Sequence, residues 1–293
     1  MGRNTRSAKD RLEMDIKDQV VVVTGGGAGI GSALARASVL RGARAIAVAD
    51  INGDKAKAVA NEIGGESYKV NVSNEEEIVG LVNDVESRHG PIGLFCSNAG
   101  FVTSAGLEDT NERIQNMWDV HVMAHIYAAR AVLPQMIANK GGYLLNTASA
   151  AGLLTQIGSL SYSITKSAAV SLAEWLSITH YHQGIRVSVL CPQAVRTDIL
   201  ANSPDNEDNE TDTEWTEGGV ASSDGILEIR EVAEACMEAV LQEQFLILPH
   251  RQVEDYIKFK ATDVDRWLNG MRRFQDKLFV EDPLPGDAIK KSH

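Results

Sequence analysis

Two kinds of hydrophobic patterning alternate along the chain. Short strand candidates recur at 19–24, 44–49, 66–71, 92–97, 142–147, 185–190 and 244–248, and the segments between them carry apolar residues at helical spacing. Runs of this length rich in β-branched residues fit buried strands, and the three- and four-residue spacing fits helices with one apolar face. Regular alternation of the two predicts βαβ units with right-handed crossovers. The expected architecture is α/β: seven strands in one parallel sheet flanked by helices. Beyond the last strand, Val264, Trp267, Leu268, Met271, Phe274 and Leu278 predict an amphipathic C-terminal helix over about 252–278, packed on the chain's own sheet or on a neighbour.

Two segments depart from this pattern. Residues 1–16 mix Arg3, Arg6, Lys9 and Arg11 with Asp10 and Glu13 and lack the apolar core of a secretory signal, so they read as a flexible extension before one domain spanning 17–293. Met14 leaves open a natural start at that point. From Ser203 to Trp215 the chain is acidic and contains no Lys or Arg. Like charges at that density favour a mobile, extended loop.

Composition narrows the partners. The chain has 293 residues, 44% hydrophobic, with a formal net charge of −12, enough for one substantial core. The acidic balance argues against nucleic-acid and anionic-membrane partners. No apolar stretch reaches the ~20 residues that cross a bilayer. Cys96, Cys191 and Cys236 are dispersed without metal-ligand spacing and read as small hydrophobes in a reducing, cytoplasmic setting, with no metal expected.

Chemistry clusters at the C-terminal ends of the strand candidates, where ligands bind in open sheets of this type. The first strand runs into Thr24-Gly25-Gly26-Gly27-Ala28-Gly29-Ile30-Gly31 and then a helical pattern. Glycines let backbone approach a pyrophosphate, and the positive start of the helix holds the anion. Asp50 ends the second strand, about 20 residues on, and there a carboxylate accepts the hydroxyls of an adenosine ribose while repelling a 2′-phosphate. This predicts NAD in preference to NADP. Asp50 also fits a helix cap for the segment starting at Asn52. Further along, Ser149 precedes the string Tyr162-Ser163-Ile164-Thr165-Lys166. On a helix over 159–183 a residue and its fourth successor share a face, so Lys166 sits beside the Tyr162 phenol and favours phenolate, while Ser149 donates to a substrate oxygen.

Taken together, Thr24 to Gly31, Asp50, Asn98-Ala99-Gly100, Ser149, Tyr162 with Lys166, and Pro192 with Thr197 resemble the short-chain dehydrogenase/reductase family in its single-domain form, over residues 17 to 250 or so. The resemblance implies a doubly wound Rossmann fold, a bound nicotinamide dinucleotide and hydride exchange at a carbinol or carbonyl carbon. It places Gly25, Gly27, Ala28, Gly29, Ile30 and Gly31 at the pyrophosphate, and Asp50 and Ile51 at the ribose. Asn71, Val72, Asn98, Ala99 and Gly100 fall along the rest of the dinucleotide, with Tyr162, Lys166, Pro192, Val195 and Thr197 at its nicotinamide end. It further implies a substrate lid over about 196–228, which Trp215 can close, and a homo-oligomer, commonly a tetramer. Three positions depart from the family pattern. His121 stands where an asparagine helps hold a proton-relaying water, and either relays protons as imidazole or fills a helix kink. Asn71-Val72 replaces Asp-Val beside the adenine, and Pro192-Gln193 replaces Pro-Gly. Asn98 also reads as a residue that stitches loops at a strand end.

Around the expected reaction centre lie Phe101, Val102, Leu153, Leu154, Ile157, Leu160 and Val195, without a cation to clamp a carboxylate or phosphate. The reading that follows is an NAD-dependent dehydrogenase for an apolar alicyclic, aromatic or steroid-like secondary alcohol, or its ketone. Its catalytic residues are Ser149, Tyr162, Lys166 and His121, and its substrate contacts Ser149, Leu153 and Tyr162. Two rivals remain: a 3-oxoacyl-carrier-protein reductase, which Asp50 and the acidic net charge oppose, and a dinucleotide-binding regulator without turnover.

Overall fold

The computed structural model describes residues 14–197, 199, 221–280 and 283–287. At its centre is a seven-stranded parallel sheet of β1 (Val20–Thr24), β2 (Ala45–Asp50), β3 (Glu66–Lys69), β4 (Ile92–Ser97), β5 (Gly142–Thr147), β6 (Ile185–Leu190) and β9 (Leu246–Ile247). They lie in the order β3-β2-β1-β4-β5-β6-β9, so the direction of winding reverses between β1 and β4. This is the doubly wound arrangement, with its crevice at the reversal point.

The central strands are apolar on both faces because both faces are covered, whereas the edge strand β3 (Glu66-Ser67-Tyr68-Lys69) is polar. In β1, Val20 and Val22 belong to one apolar cluster and Val21 and Val23 to the other, as the two-residue period of a strand requires. The first cluster is closed by α3 (Glu75–His89), α5 (Ala124–Ala138) and α7 (Leu160–His180), the second by α1 (Gly29–Leu40), α2 (Gly53–Ile63) and α8 (Ile229–Leu241). Helix starts are marked by side-chain caps. Asn52 accepts from the Lys55 N–H before α2, and Asn74 from the Glu76 N–H before α3. Between α4 (Asn111–Trp118) and α5 the helix widens into a π-turn at Asp119–Met123.

Some boundaries differ from the sequence reading. Ile16, assigned above to the flexible extension, is fully buried in the core, and Met14 packs beside it. The C-terminal amphipathic stretch is two helices, α9 (Gln252–Thr262) and α10 (Val264–Leu278). Asp263 separates them: its backbone is extended and its carboxylate accepts from the Arg266 N–H, capping α10. A small parallel pair, β7 (Val195–Arg196) with β8 (Leu227–Glu228), was not foreseen. Most of the extension, the acidic segment 203–215 and Trp215 lie outside the described residues. No helix among the described residues is long and apolar enough to cross a membrane.

Candidate active site

The cavity at the C-terminal ends of the strands measures about 1000 Å³. Its floor at one end is the turn joining β1 to α1. Gly25 (φ 62°) and Gly29 (φ 51°) have left-handed backbone, and a Cβ on Gly31 would lie 2.1 Å from the Gly25 carbonyl oxygen. Only glycine permits that contact. Ala28 at the head of α1 has no side chain that caps the first turn, so the N–H groups and partial positive charge of the helix start serve the cavity that Gly25, Ala28, Gly29 and Ile30 line. An anionic pyrophosphate fits this cradle.

Asp50 stands beside it. One carboxylate oxygen accepts from the Gly27 N–H (3.0 Å), the other from the Asn52 N–H (2.9 Å). Asn52, not Asp50, caps α2, so Asp50 keeps lone pairs with which it could accept further hydrogen bonds in the part of the cavity lined by Ile51, Asn71 and Val72. The Asn71 side-chain oxygen already accepts from both the N–H and the hydroxyl of Ser73 (3.1 and 2.7 Å), which uses the acceptor expected for an adenine amine. Asn98 stitches strand ends: its N–H and amide donate to Thr24, and its amide oxygen accepts from the Thr147 hydroxyl. Ala99, Gly100, Pro192, Val195 and Thr197 complete this wall.

The second end brings together the side chains expected to be catalytic. Ser149 follows β5, Tyr162 and Lys166 share a face of α7, and all three are buried and line the cavity. The Lys166 ammonium lies 5.5 Å from the centre of the Tyr162 ring and donates to the Thr147 carbonyl (3.1 Å). Ser149 Oγ accepts from the Ala151 N–H (3.1 Å) and donates to the Pro192 carbonyl (3.4 Å), and its hydroxyl beside the Tyr162 phenol works toward phenolate. Burial is the larger effect and raises the Tyr162 pKa above its ordinary value. The downward shift expected from Lys166 is therefore not a property of the protein alone. The same burial brings the Lys166 ammonium down to about 8.

His121 occupies the π-turn, fully buried. Its Nε2 accepts from the Phe101 N–H (3.1 Å), so the proton sits on Nδ1, which donates to Thr165 Oγ1 (3.1 Å). Both ring nitrogens are thus committed. Desolvation, followed by repulsion from Lys166 and His125, takes its pKa well below the usual range. Leu153, expected at the substrate, packs into the core beside Leu248 and Tyr256, while Leu154 lines the cavity in its place. The sequence reading missed His125, His250 and Asn116. It also missed the cavity wall of Tyr256, Phe259, Trp267, Gly270, Met271 and Phe274 from α9 and α10; the amphipathic stripe was visible, its destination was not. His250 accepts the Gln193 N–H (3.2 Å), which steadies the turn after Pro192.

A family model described as short chain dehydrogenase matches residues 19–208. The chain belongs to the short-chain dehydrogenase family. An uncharacterized oxidoreductase of Staphylococcus aureus (strain MRSA252) is 31% identical over 231 residues, 78% of this chain and 93% of that protein. Mouse epidermal retinol dehydrogenase 2 is 29% identical over 196 residues, 64% of this chain and 63% of that protein. Among solved structures, a short-chain dehydrogenase/reductase from Burkholderia phymatum in complex with NAD superposes with a TM-score of 0.76 at 26% identity, covering 86% of this chain and 96% of that one. This dehydrogenase is therefore an oxidoreductase with the Rossmann-type architecture of its family.

Proposed function

We propose that this dehydrogenase interconverts a hydrophobic secondary alcohol and its ketone, with NAD as the redox partner. One observation carries the reading: Ser149, Tyr162 and Lys166 meet in a buried corner of the cavity whose other end is an anion cradle ending at Asp50. NAD, which the glycine turn and Asp50 would hold, would supply the hydride acceptor and a positive charge beside the buried corner. Tyr162 holds the proton that leaves the substrate hydroxyl, its phenolate favoured by the neighbouring Ser149 hydroxyl, and the Lys166 ammonium stands 5.5 Å from its ring. Ser149 orients the substrate oxygen, and Lys166 is anchored for this work by the Thr147 carbonyl.

His121, with both nitrogens engaged, holds the Phe101 backbone and α7 together and takes no part in the proton path. Asp50, supported by two backbone N–H groups, selects the unphosphorylated ribose and favours NAD over NADP. Among the described lining residues the charged side chains are Asp50, Lys55 and Lys166, so the substrate end suits an uncharged, apolar molecule. The test is a panel of apolar secondary alcohols offered with NAD and followed by cofactor absorbance. Tyr162→Phe lowers turnover by about 10²- to 10⁴-fold and leaves NAD affinity nearly intact. Retained turnover in that variant refutes the base assignment.

A further inference from the structure

The cavity does not stop at the catalytic corner. It continues beneath α9 and α10, where Tyr256, Phe259, Trp267, Gly270, Met271 and Phe274 form its wall. Trp267 anchors this wall. It is 9% exposed, packs with Leu154, Val253 and Met271, and stands 6.1 Å from the Phe259 ring and 6.4 Å from that of Tyr256. The Tyr256 hydroxyl is satisfied by Asp224 (2.9 Å), so Tyr256 offers its ring rather than a polar group. The charged lining residues among those described all belong to the cofactor end or the catalytic corner, which leaves this extension apolar.

Gly270 interrupts the wall in mid-helix, where glycine weakens a helix relative to alanine. Its backbone does not need glycine, since its φ is not positive. Nor does packing: an added Cβ would meet only the Arg273 guanidinium, at 3.9 Å. What the glycine leaves is depth. The cavity as a whole, cofactor cradle included, measures about 1000 Å³, and the stretch beneath α9 and α10 is the part that neither the cradle nor the corner of Ser149, Tyr162 and Lys166 forms.

We infer that α9 and α10 build a tail subsite, so that the substrate is a secondary alcohol carrying its reacting carbon at one end of an elongated apolar body. The tail lies along Trp267, Met271 and Phe274, and Gly270 sets the length admitted. This rests on the dehydrogenase reading. The test is a series of straight-chain 2-alkanols from 2-butanol to 2-dodecanol, oxidised with NAD by the full chain and by Gly270→Trp and Gly270→Leu. In the unaltered enzyme kcat/KM rises about fourfold per added methylene until the subsite is full. Either substitution makes the rise stop at a shorter chain and cuts the long-to-short ratio by about tenfold or more, equivalent to two or more methylenes at that increment. Phe274→Ala moves the limit to longer chains and keeps the test open should the larger side chains disturb folding, which thermal melting reports.

Turnover that ignores chain length, or a ratio untouched by all three substitutions, overturns the tail subsite and leaves the dehydrogenase reading standing. Absence of turnover with every alcohol overturns that reading instead. Calorimetric titration with the matching 2-alkanones then decides the subsite: affinity that grows with length and is lost in Gly270→Trp supports it, and flat affinity overturns it.

Discussion

His121 and His125 stand one helical turn apart, and burial, with the neighbouring Lys166, keeps both neutral: His121 lies well below the ordinary range and His125 falls to about 3. A depressed histidine stabilises the fold at pH values above the unfolded value of 6.5, because only the unfolded chain takes up its proton below that point. Stability is then lost as pH falls from 6.5 toward 3. His125 alone contributes a loss of about 2 kcal/mol between pH 6.5 and 5, and His121 adds to it in the same direction. Urea unfolding at a series of pH values measures the slope, and His125→Asn removes about one proton from it; an unchanged slope refutes the assignment. Nothing near His125 in sequence announces this. Its partner is Ser97 (2.7 Å), far back in the chain on β4, whereas Tyr162 and Lys166 were legible because four residues of helix place them together whatever the rest of the fold does.

At the level of elements, the β1–α1 turn is structure and, in the function proposed above, also binding site. Its glycines were readable as a motif, but the reason differs by position: Gly25 and Gly29 supply left-handed backbone, and Gly31 supplies contact between helix and turn. Gly31→Ala forces the turn open by roughly the overlap of a methyl group with a carbonyl oxygen, and costs about 1–3 kcal/mol by comparison with overpacked sites. Chemical denaturation combined with NAD titration checks this: stability and affinity fall together, and loss of neither refutes the contact. The break between α9 and α10 has a local cause that periodicity alone conceals. The apolar stripe runs past Asp263 without interruption, while its side chain caps a new helix. Asp263→Ala removes the cap and lowers stability by about 1 kcal/mol, readable as a lower denaturation midpoint.

Across the whole molecule, the proposed function links ligand to fold, because the glycine turn, Asp50 and the corner of Ser149, Tyr162 and Lys166 come from β1, β2, β5 and α7 at once. Any dinucleotide that binds only the folded state stabilises it, by about 2.7 kcal/mol at one hundred times its dissociation constant. NAD then raises the melting temperature by several degrees, NADP at equal concentration by less, and Asp50→Ala narrows the difference. Equal shifts in the unaltered protein refute the role given to Asp50. What the amino-acid order by itself determined was the succession of strands and helices, the glycine turn, and the pairing of Tyr162 with Lys166, all of which rest on intervals of a few residues. Only the tertiary structure decided that burial raises the Tyr162 pKa more than the Ser149 hydroxyl lowers it, that His121 is held by Phe101 and Thr165, and that the C-terminal helices wall the cavity. Desolvation and cavity shape arise where segments distant along the chain pack against one another, and no local period encodes that meeting.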